Sequence, residues 1–248
     1  MMTPELWVMP DESELARAGA EIFVRCARES VSKRGRFSVM LSGGNTPKKM
    51  LELLAGAEFL DQVSWKVTHV FWGDERLVPS DHPDSNFHMA WEALLQLTPI
   101  PPDQIHRVRT ELAQAKGVAA VIDDYERQIR DFGSNFDLIY LGMGEDGHTA
   151  SLFPGTSIPA EGGRLVLATK APSQPVNRIS ISPQVISNAR QVSVIVSGEK
   201  KARTLQSVLE GPFDPKRYPV QWVHSRDGET LWIVDERAAS LLSQRLSA

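Results

Sequence analysis

A histidine beside a cluster of glycines and carboxylates is the part of this sequence best equipped for chemistry. Residues 142–147 contain three glycines, Glu145 and Asp146, and His148 follows at once. Histidine moves protons near neutral pH, and a neighbouring carboxylate can fix its tautomer and raise its basicity. Glycine lets the backbone turn tightly and approach a ligand closely. We therefore predict that His148 accepts a proton during catalysis and that Asp146 supports it.

A second polar cluster, Asp74-Glu75-Arg76, follows the apolar residues VFW. In one interpretation it is an exposed loop with a surface ion pair, which contributes little energy. In the other, Arg76 binds an oxyanion or a phosphate group of a ligand. The sequence alone leaves both interpretations open.

Three further features favour an anionic ligand. The turn Ser42-Gly43-Gly44-Asn45 places free backbone N–H groups before a helix that we predict to begin with Thr46 as its N-cap, an arrangement that suits phosphate. Lys200 and Lys201 lie at a predicted helix start, where cations oppose the helix dipole. Arg178 begins an apolar strand and needs a counter-charge there. A tight turn, an exposed helix start and a nearby acid are the simpler explanations.

Residues 142–147 also match the pattern G-x-G-x-x-G, which is typical of dinucleotide sites. Such a site needs a helix opening at once and an acid about 20 residues later. Here Pro154-Gly155 interrupts the segment and no suitable acid follows, so we predict no NAD site. The turn at 42–45 lacks the Gly-Lys-Ser/Thr of a nucleotide P-loop. The remaining histidines, at 69, 82, 88, 106 and 224, show no metal-ligand spacing. We predict neither a metal nor a cofactor.

Strand and helix patterns alternate along the chain. Strands are predicted at 36–41, 66–72, 136–141, 165–169, 178–182, 192–196, 221–224 and 230–234, helices at 12–32, from 46 onward, 85–97, 112–132, 199–209 and 236–245, and a long polar loop at 73–84. This alternation predicts a mostly parallel sheet flanked by helices, an α/β fold in a single domain, 1–248. Ligands of such sheets bind beyond the carboxyl ends of the strands. Four polar, glycine-bearing loops follow strands there, so we expect one shared cleft.

Composition and charge narrow the classes of function. The chain has 248 residues, 42% of them apolar, and a net charge of −4. Its slight acidity argues against nucleic acid as a partner. Cys26 is the one cysteine and cannot form an internal disulfide, which fits a reducing compartment. We see no secretory signal and no apolar run of transmembrane length. We therefore expect a cytoplasmic protein with no membrane partner.

Five segments together resemble one known family. They are LSGGNTP (41–47), FWGDERLVPSDHPDSNF (71–87), LGMGEDGHTASLFPG (141–155), NRISISPQVISNAR (177–190) and VSGEKKA (196–202). In this order they resemble the 6-phosphogluconolactonases, over nearly the whole chain. The resemblance implies a Rossmann-like α/β fold and hydrolysis of 6-phospho-D-glucono-1,5-lactone to 6-phosphogluconate in the oxidative pentose phosphate pathway, without a cofactor.

The resemblance also implies roles for individual residues. His148 takes the place of the general base, and Asp146 that of its supporting acid. Arg76 with Asp74 matches an active-site loop. The positions implied to contact phosphate are Ser42, Gly43, Gly44, Arg178 and Lys201. Lys201 is preferred to Lys200 because the family pattern is a lysine followed by alanine.

Two other functions compete with this interpretation. Amino-sugar phosphate isomerase/deaminases resemble the chain around His148 but carry a glutamate five residues after the histidine, where this chain has Phe153. A sensor of sugar phosphates would need no base, and no helix-turn-helix segment with a basic face is present to read DNA. We expect a monomer, with a small homo-oligomer as the alternative.

Overall fold

The computed structural model describes residues 5–157 and 163–243. Its strands are β1 (Glu5–Met9), β2 (Phe37–Leu41), β3 (Thr68–Trp72), β4 (Asp74–Arg76), β5 (Leu138–Gly142), β6 (Val166–Lys170), β7 (Asn177–Ile181), β8 (Gln191–Val196) and β9 (Glu229–Asp235). Its α-helices are α1 (Glu12–Arg34), α2 (Asn45–Ala55), α3 (Asn86–Ala93), α4 (Leu112–Lys116), α5 (Val118–Phe132), α6 (Pro183–Ser187) and α7 (Ala202–Glu210).

Local sequence explains where the longest helix begins and ends. The side chain of Asp11 accepts hydrogen bonds from the backbone N–H groups of Ser13 and Glu14 at the start of α1. These bonds satisfy donors that have no partner within the helix. Gly35 ends α1 with φ of 73°, a conformation that glycine adopts without strain. The apolar face of α1 then packs on the sheet.

Six parallel strands form the main sheet, in the order β1-β9-β8-β5-β2-β3. Every residue of β2 and of β8 is buried. Strands buried on both faces are typical of parallel sheets covered by helices. One apolar cluster includes residues of α1 and α2, and a second includes residues of α5 and α7. The predicted α/β fold with a mostly parallel sheet between helices is confirmed.

A second, smaller sheet was not predicted. Strands β4, β7 and β6 pair antiparallel, in that order. The prediction of one polar loop over 73–84 is therefore wrong at Asp74–Arg76, which pairs with β7 far away in the chain. Ile179, Ile181 and Val166 of the small sheet join the same apolar cluster as Val192 and Val194 of β8. Because the two sheets share this core, we propose that the chain forms one domain.

Other differences concern helix and strand bounds. The helix predicted at 112–132 is divided at Gly117, whose φ is 77°. Helix α3 ends at Ala93, short of the predicted 97. The strand predicted at 221–224 is wrong, because the 3-10 helix Pro219–Trp222 covers its first two residues and the other two form no strand. Of the helix predicted at 236–245, residues 236–243 form turns and a bend, and the last two lie outside the described residues. Strand β1 and helix α6 were not predicted.

Within the described ranges, no helix combines the length and the apolarity that crossing a membrane requires.

Candidate active site

The four polar loops predicted to converge do so at one edge of the main sheet. They follow β2, β3, β5 and β8, which lie side by side in the order β8-β5-β2-β3. A cleft of about 350 Å³ opens there. The predicted site residues that line it are Ser42, Gly43, Gly44, Asp74, Arg76, His148, Arg178 and Lys201. Asp146 does not line the cleft and instead contacts His148.

His148 and Asp146 form a tight pair. The ring Nδ1 of His148 lies 2.5 Å from Oδ1 of Asp146, and the backbone N–H of His148 donates to the same oxygen at 3.1 Å. Burial favours the neutral carboxyl, but the bonds from His148 outweigh it and hold the pKa of Asp146 below its ordinary value. An ionised carboxylate only accepts hydrogen bonds, so Nδ1 carries the proton. In the neutral imidazole, Nε2 then keeps a lone pair that can accept a proton.

The glycines around this pair have a steric reason. A Cβ atom on Gly144 would lie 2.1 Å from Nδ1 of His148 and 2.7 Å from Oδ1 of Asp146. Gly147 has φ of 80°, and a Cβ there would lie 2.6 Å from the Tyr218 ring. The loop returns to its strand through Thr149, whose hydroxyl donates to the carbonyl of Gly142 at 2.8 Å. The glycines thus let the loop fold over the imidazole.

An aromatic ring occupies the position that distinguishes the competing enzyme class. The ring centroids of Phe153 and His148 are 4.6 Å apart. Both side chains line the cleft. Position 153 therefore presents an apolar surface to His148, where a deaminase-like chain would present a carboxylate.

Asp74 connects two segments of the cleft wall. Its Oδ2 accepts from the Ser151 hydroxyl at 2.6 Å, and the side-chain amide of Asn86 donates to its carbonyl at 2.9 Å. Ser151 lies three residues after His148, and Asn86 begins α3. We did not predict roles for Asn86 or Ser151, although both stand in segments that carry the family resemblance. Asp74 fixes the distance between the His148 loop and strand β4.

Glu75 anchors α3 and does not face the cleft. Burial raises the pKa of Glu75, against three backbone N–H donors that lower it. The donors belong to Asn86, Phe87 and Arg76, at 2.7, 2.8 and 2.7 Å. Two of them lie in the first turn of α3, where N–H groups otherwise have no partner. Glu75 therefore holds the helix that positions Asn86.

Arg76 and Arg178 stand opposite each other on β4 and β7. Within the described residues, neither guanidinium forms an ion pair, and the Nε atom of each is buried without a hydrogen-bond partner. Burial and the neighbouring charge of Arg76 both lower the pKa of Arg178. Arg178 is buried and Arg76 is half-buried, with one terminal nitrogen of Arg76 donating to the backbone carbonyl of Asp84 at 2.5 Å. Two adjacent cations with so little solvent are costly unless an anion lies between them. The pair is therefore suited to phosphate.

The opposite wall of the cleft adds backbone donors at the start of α2. Helix α2 begins at Asn45 with Gly44 as its N-cap, and no side chain caps it. The prediction of Thr46 as the N-cap is wrong, because its hydroxyl bonds to Glu12 at 3.0 Å. The helix start can therefore bind an anion through its N–H groups.

Lys201 reaches the cleft, while Lys200 is exposed outside it. Burial lowers the pKa of Lys201, partly offset by Glu145 and Asp235. The preceding turn is fixed by Asp235, which accepts from the backbone N–H of Gly198 at 3.0 Å. The loop after β8 thus directs one lysine of the two toward the site.

A larger cavity, of about 660 Å³, opens at the opposite edge of the sheet. Three of its four cations are already in ion pairs: Arg34 lies 2.7 Å and Arg190 3.5 Å from Asp137, and Lys33 lies 3.3 Å from Glu29. The fourth, Arg25, donates to the side-chain carbonyl of Gln191. The larger cavity contains no histidine. Size alone therefore does not identify the functional site. The smaller cleft, which holds His148 and two arginines without an ion pair among the described residues, is the better candidate. In the part of the chain that the structure describes, no group of three or more His, Cys, Asp or Glu side chains could hold a metal ion.

Fold and site together define an α/β protein in which one cleft contains a histidine bonded to an aspartate and a wall that carries three cations. Residues 10–232 match the family described as glucosamine-6-phosphate isomerases/6-phosphogluconolactonase, and the chain belongs to this family.

Within this family, the chain is similar to several proteins named as 6-phosphogluconolactonases. A Synechocystis 6-phosphogluconolactonase is 36% identical, covering 97% of this chain and 99% of the relative. A probable chloroplastic 6-phosphogluconolactonase of rice is 35% identical over 97% of this chain and 78% of its own length. The structure of the Trypanosoma brucei 6-phosphogluconolactonase has a TM-score of 0.84 at 29% identity, covering 97% of this chain and 99% of that one.

Proposed function

We propose that this protein is a lactone hydrolase that converts 6-phospho-D-glucono-1,5-lactone to 6-phospho-D-gluconate, in the oxidative pentose phosphate pathway. The observation that carries the proposal is one cleft that holds both a histidine with a free Nε2 and two unpaired arginines. The names of the similar proteins support the same substrate.

The base end of the cleft performs the chemical step. Neutral His148 accepts a proton from water through Nε2, and the water oxygen attacks the C1 carbonyl of the lactone. Asp146 keeps the other ring proton on Nδ1 and stabilises the imidazolium that forms. When the tetrahedral intermediate collapses, the bond from C1 to the ring oxygen breaks and the ring oxygen takes up the proton. A lactone is an activated ester, so the mechanism requires neither a covalent intermediate nor a cofactor.

The anion end of the cleft orients the substrate. Because Arg76 and Arg178 face each other in register, we assign both to the phosphate, together with Lys201 and the turn Ser42-Gly43-Gly44. Among the described residues that line the cleft, Asp74 is the one carboxylate, so positive charge predominates there. The developing oxyanion at C1 is then left to backbone N–H groups of the cleft. Binding the remote phosphate fixes the lactone relative to His148.

The decisive experiment measures hydrolysis of the lactone with and without its 6-phosphate, corrected for the spontaneous reaction. We expect the phosphorylated lactone to be hydrolysed with a much higher kcat/KM. Equal rates on both lactones would refute the role of the cations. Rates no faster than the spontaneous reaction would refute the function itself.

A parallel assay distinguishes the lactone hydrolase from the main alternative, an amino-sugar phosphate deaminase. Glucosamine 6-phosphate is tested in parallel for ammonia release. The apolar Phe153 beside His148 argues against ring opening, which needs an acid to protonate the ring oxygen. Ammonia release without lactone hydrolysis would reverse the assignment.

We propose that the monomer is active, because every residue that we assign to substrate comes from one chain.

We propose the cytoplasm as the compartment of this protein. The free, buried thiol of Cys26 is compatible with it.

A further inference from the structure

Three buried polar atoms that have no hydrogen-bond partner in the described part of the chain lie in a single row across the small sheet. They are Nε of Arg76, Nε of Arg178 and Oγ1 of Thr169. Arg76 pairs in register with Arg178, and Arg178 pairs in register with Thr169. A buried polar group without a partner is costly and uncommon in a native protein. Three of them in one row indicate a site that a ligand completes.

Thr169 faces the same side of its strand as the cleft. Side chains two residues apart in an extended strand point to the same face, and Ala171, two residues after Thr169, lines the cleft. Thr169 is 8% exposed, and its neighbours Ala168 and Lys170 are exposed on the other face. A threonine is therefore buried beside Arg178 where an apolar side chain would avoid the cost of an unpaired hydroxyl.

The two neighbouring atoms are chemically complementary. The Nε–H of an arginine can only donate, whereas a hydroxyl oxygen can accept. Directly opposed residues on antiparallel strands have Cβ atoms roughly 4.5–5.5 Å apart. The register therefore places the Arg178 side chain directly beside the Thr169 hydroxyl.

We propose that Thr169 is a positioning residue for phosphate, and this inference rests on the proposed function. When the phosphate binds, Nε–H of Arg178 donates to Oγ1 of Thr169. The two terminal nitrogens of the guanidinium then point together at the phosphate oxygens, the bidentate geometry that arginine favours. Thr169 thus acts through Arg178 and determines how strongly the cleft distinguishes a phosphorylated lactone from a plain one.

The test compares Thr169→Val, which keeps the shape and removes the acceptor, with Thr169→Ser, which keeps the acceptor. Ser182→Ala is the matched control, because the Ser182 hydroxyl is also buried without a partner but lies beyond the far end of β7 from Arg178. Each variant is assayed on 6-phospho-D-glucono-1,5-lactone and on D-glucono-1,5-lactone. Thr169→Ala, with its thermal midpoint, replaces the valine variant if that one does not fold.

For Thr169→Val we expect KM for the phosphorylated lactone to rise about tenfold, the loss of one hydrogen bond to a charged group, with kcat nearly unchanged. Hydrolysis of the plain lactone should not change, and Thr169→Ser and Ser182→Ala should behave like the wild type. An unchanged KM in Thr169→Val, or an equal loss on both lactones, would overturn the inference.

A binding measurement keeps this inference separate from the proposed function. Titration calorimetry with inorganic phosphate requires no turnover. If the wild type hydrolysed neither lactone, the proposed function would fail, yet weaker phosphate binding by Thr169→Val than by Ser182→Ala would still support the role of Thr169. Equal phosphate affinity in these two variants would contradict it.

Discussion

The two ends of the cleft satisfy their polar groups in opposite ways. At the base end, Nδ1 of His148 is bonded to Asp146 at 2.5 Å, and the surrounding loop closes with its own hydrogen bonds. At the anion end, Arg76 and Arg178 lie side by side with buried Nε atoms that have no partner. We therefore propose that the base end is organised before substrate arrives and that the anion end is completed by the phosphate.

Because of this difference, we expect the two ends to contribute to different free energies, the activation barrier at the base end and substrate binding at the anion end. A preorganised base lowers the barrier of the chemical step without rearrangement during the reaction. In the proposed mechanism, the cations instead gain their stabilisation when the phosphate binds, and that binding energy orients the reacting carbonyl. Substitutions at the base end should therefore change kcat, and substitutions at the anion end should change KM. The comparison fails if the two kinds of effect are exchanged.

The largest effect is expected from His148→Asn. The asparagine side chain has no basic nitrogen to take the proton from water. We therefore expect kcat to fall by about 10²–10⁴ while KM changes little. Steady-state hydrolysis of the phosphorylated lactone measures both constants. His88→Asn, on α3 outside the cleft, is the control and should keep wild-type kcat. A His148→Asn enzyme with normal kcat would show that another group is the base.

The next effect is expected from Arg178→Met. Loss of a charge-assisted contact should lower kcat/KM for the phosphorylated lactone by about 10–100-fold, through KM, and leave the plain lactone unaffected. Because the variant removes a buried cation that has no partner, its thermal midpoint without phosphate should equal or exceed that of the wild type.

Arg190→Met provides the matched control for this variant. Arg190 lies at the opposite edge of the sheet, where its Nε is 3.5 Å from Asp137. The Arg190→Met variant should hydrolyse both lactones at the wild-type rate. If Arg178→Met lowered activity on both lactones equally, or lowered the thermal midpoint markedly, Arg178 would serve the fold and not the phosphate.

The same contrast explains how much the sequence could predict. The base end comes from one short segment after a buried strand, so residue types and spacing were enough to propose His148 and Asp146. The strands of the main sheet are apolar and were placed within a few residues, except for β1 at its edge. The family resemblance added roles for Arg178 and Lys201, which the cleft does bring together.

The arrangement of the anion end could not be read from local patterns. Asp74-Glu75-Arg76 consists of charged residues, and acids are uncommon in strands, so we predicted a loop. These residues form a strand because β7 supplies its hydrogen-bonding partners. The roles of Asn86 and Ser151 likewise depend on their contacts with Asp74. Contacts of this kind join segments far apart in the chain, where residue spacing carries no signal.

The smallest effect is expected from a pair of glycine substitutions in the base loop. A Cβ on Gly144 would lie 2.1 Å from Nδ1 of His148, whereas a Cβ on Gly142 would have its nearest neighbour, the carbonyl oxygen of Ile195, at 4.0 Å. Gly144→Ala must therefore displace the imidazole, and misplacement of a catalytic group slows the chemical step. We expect kcat to fall about tenfold in Gly144→Ala and to stay near wild type in Gly142→Ala.

The two alanine variants test whether the base end depends on its preformed geometry. KM for the phosphorylated lactone should remain unchanged in both, since neither glycine contacts the arginine pair. If Gly144→Ala kept wild-type kcat, the His148–Asp146 pair would tolerate displacement, and preorganisation would not distinguish the two ends. If instead its KM rose with kcat unchanged, the loop would act in binding, and the division of the cleft into a base end and an anion end would have to be abandoned.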